Sequence, residues 1–239
     1  CRSGLRRVSD LLMHETLVFI AGTLCDERVF TPQLSHFEDR YHCQVIIPQG
    51  AETIEDMARL ALDSIAAPSF NVIGFSLGGI LAMAMVPLTQ GRIKRLALLN
   101  TNHLPDTSER KIQRLHFVNE TRAGKFHDVL RHEIQHKYLG RLVHDKTEML
   151  NEILGMALAV GPAFYCDQMM AARGRTDATE QIKTYEGPTL ILCGEDDIVC
   201  PAERHYAMRA LMKNSTCITI PMTGHYSTLE APDAVNNAL

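Results

Sequence analysis

Ser76, His225 and the acids Glu195, Asp196 and Asp197 are side chains of the types that together carry out nucleophilic catalysis. A serine hydroxyl is a weak nucleophile near neutral pH. It becomes reactive when a histidine within hydrogen-bond reach takes its proton and an acid orients that histidine. Ser76 stands in Gly74-Phe75-Ser76-Leu77-Gly78-Gly79, with small residues two positions to either side. That spacing lets a strand turn abruptly into a helix and lifts the serine to the top of a sheet. His225 has ten competitors among the histidines, but it alone follows a glycine, Gly224, shortly after an apolar strand-like run.

The elements that must position these groups alternate. Apolar, β-branched runs at 16–20, 45–47, 70–73, 93–100, 188–194 and 217–220 read as strands. Helical patterns fall at 29–37, 53–66, 80–86, 202–212 and 231–239, with Pro32 near the start of the first and Thr53 as an N-cap of the second. The alternation implies an α/β fold, a parallel sheet with helices on both faces. Ser76, the acids and His225 each follow a strand, so all lie at one edge of that sheet, where such folds place ligands. The pattern is interrupted between residues 101 and 185. Helix-like stretches at 111–117, 126–139, 146–160 and 165–173 fill this segment, without a convincing strand. The expected organisation is a disordered extension over 1–13, a core formed by 14–100 and 186–239, and a small helical lid inserted at 101–185.

Four blocks in this order resemble the α/β-hydrolases of the compact esterase and thioesterase type. Gly74 to Gly79 resembles the nucleophile elbow. Gly194-Glu195-Asp196-Asp197 through Pro201 resembles the acid loop, and Gly224-His225 with Glu230 and Pro232 the histidine loop. Ala21-Gly22-Thr23 through Phe30, Gln33 and Leu34 resembles the oxyanion loop. The order Ser, Asp, His along the chain is that of the superfamily. The resemblance implies a sheet of about six parallel strands. It assigns Ser76 as nucleophile, His225 as general base and acid, and Asp197, three residues after its glycine, as the orienting acid in preference to Asp196. It gives the backbone N–H groups of Leu77 and Thr23 the oxyanion. The expected reaction is cleavage of a small or medium acyl ester or thioester without a cofactor. Acyl transfer, lactone or C–C cleavage, and a hydrolase-fold ligand receptor are the alternatives. The chain departs from the pattern at Ala21, where many members have histidine, and in a Gly-rich loop reduced to Pro48-Gln49-Gly50.

Substrate contacts are expected from Leu24, Met149, Met156, Met169 and Tyr226. The lid methionines would suit an apolar acyl chain or simply pack lid on core. Asn102 and His103 follow a strand end and are expected near the pocket. A second motif, His132-Glu133-Ile134-Gln135-His136, matches H-E-x-x-H. On a helix this spacing can hold zinc, yet no metalloprotease pattern surrounds it, and no metal is expected. Net charge is −4 and pI about 6.3, which argues against nucleic-acid partners. No apolar run attains the roughly 18 residues needed to span a bilayer. The cysteines number seven, odd and scattered. They read as reduced core residues of a cytoplasmic protein, a monomer or homodimer acting on a small-molecule acyl substrate.

Overall fold

A computed structural model of the chain describes residues 15–239. The extension expected over 1–13 lies outside the described residues. Strands β1 (Thr16–Ile20), β2 (His42–Ile46), β3 (Phe70–Phe75), β4 (Ile93–Leu99), β5 (Thr189–Gly194) and β6 (Ser215–Ile220) form one sheet in the order β2-β1-β3-β4-β5-β6. Every pairing is parallel, and the six strands match the expected number.

Period-two alternation divides each central strand between two faces. Val18, Ile20, Val72, Leu96, Leu98 and Ile191 point to one. There they meet α2 (Ile54–Asp63), α3 (Leu77–Met85) and α8 (Ala202–Leu211) through side chains such as Met57, Leu81 and Met208. Leu17, Phe19, Ile73, Phe75, Ala97, Leu99 and Leu192 point to the other, toward α1 (Thr31–Phe37) and α10 (Pro232–Ala238). Each fully buried aliphatic or aromatic side chain contributes about 1.5–3 kcal/mol, so two continuous apolar faces hold the strand ends rigidly. The Thr53 cap forms as expected, its Oγ1 accepting from Asp56 N–H at 3.1 Å.

Between β4 and β5 lie α4 (Ser108–Arg122), α5 (Phe126–Glu133), α6 (Lys146–Gly174) and α7 (Thr179–Lys183). The sequence predicts separate helices for the two halves of α6. They run together in the structure but are broken at Gly161, whose φ of 77° and ψ of 172° are not helical. By length and mean composition alone α6 is long and apolar enough to cross a membrane, although Glu148, Glu152 and Asp167 interrupt its apolar run. Its Ile153, Met156 and Ala157, and Tyr165 and Met169 beyond the break, are instead buried against the body of the protein. The last described elements include a single turn, α9 (Ser227–Glu230).

Candidate active site

The end of β3 and the start of α3 meet at Ser76 with φ 53° and ψ −114°. A non-glycine residue with positive φ is strained and persists only where its surroundings fix it. Two of those surroundings are the flanking glycines. A Cβ on Gly74 would stand 2.5 Å from the Gly78 carbonyl oxygen, and one on Gly78 would collide with the Ile20 carbonyl. Ser76 N–H donates to Leu99 O at 2.9 Å, and the Thr101 hydroxyl donates to Ser76 O at 2.7 Å. Thr101 is held in turn by its N–H, which donates to Nε2 of the buried His205 at 3.1 Å. His205 therefore carries its proton on Nδ1 and donates it to Pro201 O.

His225 Nε2 lies 3.1 Å from Ser76 Oγ, and His225 Nδ1 lies 2.9 Å and 3.1 Å from the two oxygens of Asp197. An ionised carboxylate only accepts, so Nδ1 carries the imidazole proton and Nε2 is left to accept from the serine hydroxyl. Asp197 is buried. Burial alone would push its carboxyl up. The neighbouring His225, the Cys200 N–H and the Asn100 amide hold it below the ordinary carboxylate value instead. Asp197 Oδ1 accepts from the N–H groups of Val199 and Cys200, both at 2.9 Å, and Oδ2 from Asn100 Nδ2 at 2.9 Å.

Asp196, the rival acid, points elsewhere. Arg141 clamps it with two forked hydrogen bonds of 2.9 Å and a backbone N–H at 2.9 Å. The histidine loop is also pinned. The buried Glu230 accepts from the N–H groups of Gly140 and Gly224 at 2.8 Å and of Tyr226 at 2.9 Å. Burial raises its carboxyl against the pull of those three donors.

Leu77 N–H opens α3 and has no intrahelical partner. Neither it nor Thr23 N–H is engaged in the described hydrogen bonds, and both residues line a cavity of about 500 Å³ together with Ser76. The loop after β1 has Ala21 where the resemblance would place histidine, and it takes support from α6. Gln168, fully buried, accepts from Leu24 N–H at 3.0 Å and donates to Pro48 O at 2.9 Å. It ties together Leu24, itself at φ 61°, and the short loop after β2.

Of the expected substrate contacts, Leu24 and Tyr226 line a recess of about 90 Å³ beside Ser76 and His225. Met149, Met156 and Met169 line neither cavity. Met156 is buried among Phe19, Phe30 and Phe75, Met149 is packed against that same cluster, and Met169 is buried with Phe117 and Phe126. They face inward because α6 must bury its apolar stripe between the sheet and α4. Asn102 lines the large cavity, whereas His103 is buried away from it. The H-E-x-x-H pattern does not form a ligand pair. α5 ends at Glu133, Ile134 is extended, and His132 stacks on Phe117. Glu133 faces the smaller recess instead.

Sequence reasoning overlooked Asn100, Thr101, Gln168, Arg110 and Arg114. Arg110 and Arg114 are four apart on one face of α4, but the predicted helix began only at 111 and left Arg110 outside it. Gln168 is a lone amide in an apolar stretch, which implies a buried partner.

The comparisons agree with this architecture. A family model described as alpha/beta hydrolase fold matches residues 39–232. The pimeloyl-[acyl-carrier protein] methyl ester esterase of Xanthomonas campestris pv. campestris is 26% identical, with 96% of each chain covered. The (E)-2-((N-methylformamido)methylene)succinate hydrolase of Acinetobacter baylyi is 24% identical over 94% of this chain and 89% of its own. A thermophilic esterase from Thermogutta terrifontis superposes with a TM-score of 0.81 at 24% identity, covering 94% of this chain and 87% of that one. With its sheet order, its strained serine turn and a family match over most of its length, this chain belongs to the alpha/beta hydrolase fold family of enzymes.

Proposed function

We propose that the protein is a serine hydrolase that cleaves a small acyl ester or thioester through an acyl-enzyme on Ser76. The observation that carries this reading is the unbroken hydrogen-bond chain from Ser76 Oγ through His225 to the buried Asp197. His225 Nε2 takes the serine proton as Oγ attacks the acyl carbonyl. The oxyanion that develops is met by the N–H groups of Leu77 and Thr23, each such donor typically supporting a 10²–10³-fold rate gain. The imidazolium, held against Asp197, returns its proton to the departing alcohol or thiol. A water molecule then enters, gives a proton to His225 and attacks the acyl carbonyl; the acyl–Oγ bond breaks, His225 returns the proton to Ser76 Oγ, and the acid leaves. The esterase and hydrolase names of the relatives are in keeping with this reaction class.

The test is turnover of p-nitrophenyl esters and acyl thioesters of graded length by the protein and by Ser76→Ala. Loss of turnover on the order of 10⁴-fold or more in the variant is expected. Equal turnover by both would remove Ser76 from the mechanism.

A further inference from the structure

The walls of the larger cavity are strongly and locally basic. Arg110, Arg114, Lys137, Arg175 and Arg204 line it, with Asp106 as the sole acidic side chain among the described lining residues. The chain as a whole has a net charge of −4, so this concentration is not a consequence of composition. Buried charges are normally paired, and here the pairing is incomplete. Asp106, its side chain 4% exposed, is shared between Arg114 Nε at 2.5 Å and Arg175 Nη2 at 2.8 Å. One carboxylate between two guanidiniums leaves one positive charge uncompensated. Arg175 spends its other donors on Leu104 O and Ala172 O. Arg114 turns Nη1 to the thioether of Met169 at 3.1 Å, a weak acceptor.

Arg110 lies one helical turn before Arg114 on α4. It donates to Gln113 Oε1 at 2.6 Å and forms an ion pair of 3.9 Å with Glu133, too long for a hydrogen bond. With Asp106 and Glu133 set against Arg110, Arg114 and Arg175, one positive charge is still left over. Both arginines also line the recess that holds Ser76, His225 and Leu24. A planar guanidinium matches the two oxygens of a carboxylate or phosphate. A cleft lined by one sign of charge concentrates oppositely charged ligands.

Resting on the Ser76 reading, we propose that Arg110 and Arg114 select substrates that carry an anionic group, a carboxylate or a phosphoryl group, a few bonds from the scissile carbonyl. A cavity of about 500 Å³ has room for the reacting acyl group and its anion together.

The test uses three matched methyl esters: monomethyl adipate, methyl hexanoate as its neutral counterpart, and an analogue with a phosphonate in place of the free carboxylate. Their affinities are measured by calorimetry on Ser76→Ala, so that binding is read apart from chemistry, and their turnover is measured on the unaltered protein. The expected result is that an anionic ester binds roughly 10- to 100-fold more tightly than methyl hexanoate, the range of a charge-assisted pair. The preference should shrink as salt is raised. Adding Arg110→Gln, at a side chain 34% exposed, should reduce the ratio to within a few fold of one. Whichever of carboxylate and phosphonate binds more tightly assigns the anion. Equal binding of neutral and anionic esters, or a ratio unmoved by Arg110→Gln, would overturn the proposal even if turnover depends on Ser76. Selective anion binding with turnover that persists in Ser76→Ala would instead uphold the anion site and refute the nucleophile.

Discussion

At the carboxyl edge of the sheet, Asp197 and the Ser76 and His225 loops are fixed by backbone groups or by buried amides. Across the cavity, in the segment between β4 and β5, Arg110 and Lys137 are held by side chains alone, through Gln113 and the Tyr138 ring. The difference is one of stiffness. Backbone donors at strand ends cannot rotate away, so the reacting groups are preorganised where charge develops. Long cationic side chains on helices keep rotamer freedom and can follow the ligand, at an entropic cost on binding. The first region suits chemistry and the second recognition. Substitutions in the first should therefore act on kcat, and those in the second on the choice of substrate.

The sharpest way to break this comparison is at adjacent acids. Asp197→Asn leaves the wrong donor facing His225 Nδ1 and should lower kcat on the order of 10⁴-fold, as removal of a triad carboxylate does. Asp196→Asn removes a clamp to Arg141 outside the triad and should cost less than about tenfold. Steady-state rates of both variants on one ester decide the matter. A comparable loss in both would mean that the Arg141 clamp, not the triad, governs the edge.

Next in size is a stability effect without a specificity effect. Met156→Ala opens a hole among Phe19, Phe30 and Phe75. It should destabilise the fold by about 2–5 kcal/mol while leaving the ranking of ester chain lengths unchanged. Denaturant melts and a chain-length series test this together. An altered ranking would return the methionine to the substrate pocket and blur the division between packing and recognition.

These two cases also show what the sequence could disclose. The strand runs, the G-x-S-x-G turn and the Gly-His turn are local, because close backbone approach demands glycine at particular positions and buried strands demand apolar runs. So Ser76 and His225 could be singled out from their turns, whereas Asp197 was separated from Asp196 only by the resemblance of its loop to the family pattern. The segment between β4 and β5 was legible only as helices. Which face of α6 looks inward depends on the sheet it covers, so Met156 and Met169 could not be told from pocket residues by their chemistry. Asn100, the residue after β4, has φ 48°, a conformation asparagine tolerates, but nothing local says that its amide reaches Asp197. The cationic wall escaped notice because its members are spread from Arg110 to Arg204 and converge only in the fold.

Gln168 sits where the two regions join, reaching from α6 to the loop after β1 that holds Thr23 and Leu24. Gln168→Leu would orphan the Leu24 N–H and the Pro48 carbonyl. A net loss of about 1–2 kcal/mol is expected, seen as a roughly 5- to 30-fold fall in kcat with KM little changed, because the Thr23 donor shifts with its loop. A rise in KM alone would show that the helical segment touches only recognition.

The smallest effect lies behind the serine turn. His205 is buried, accepts from Thr101 N–H, and through Thr101 supports the Ser76 carbonyl. Burial holds its pKa below the ordinary value of 6.5. A base with a lowered folded pKa is protonated first in the unfolded chain, so the unfolded state binds more protons as pH falls below about 6.5, and stability falls with it. His103, also depressed by burial, adds to the same slope. Glu230, raised above its ordinary 4.5 by burial, has the opposite sign. It is unaltered in the comparison below, so between pH 7.5 and 5.5 the difference between the two proteins reports His205. His205→Gln keeps an acceptor for Thr101 and a donor for Pro201 but cannot titrate there. Denaturant midpoints at the two pH values should differ less in this variant than in the unaltered protein, with the residual slope left to His103 and Glu230. Because the exchange lies wholly on the rigid side of the cavity, the ratio of anionic to neutral ester turnover should not move. If that ratio changed while the pH slope did not, the support behind Ser76 would be coupled to the cationic wall, and the separation of chemistry from recognition would fail.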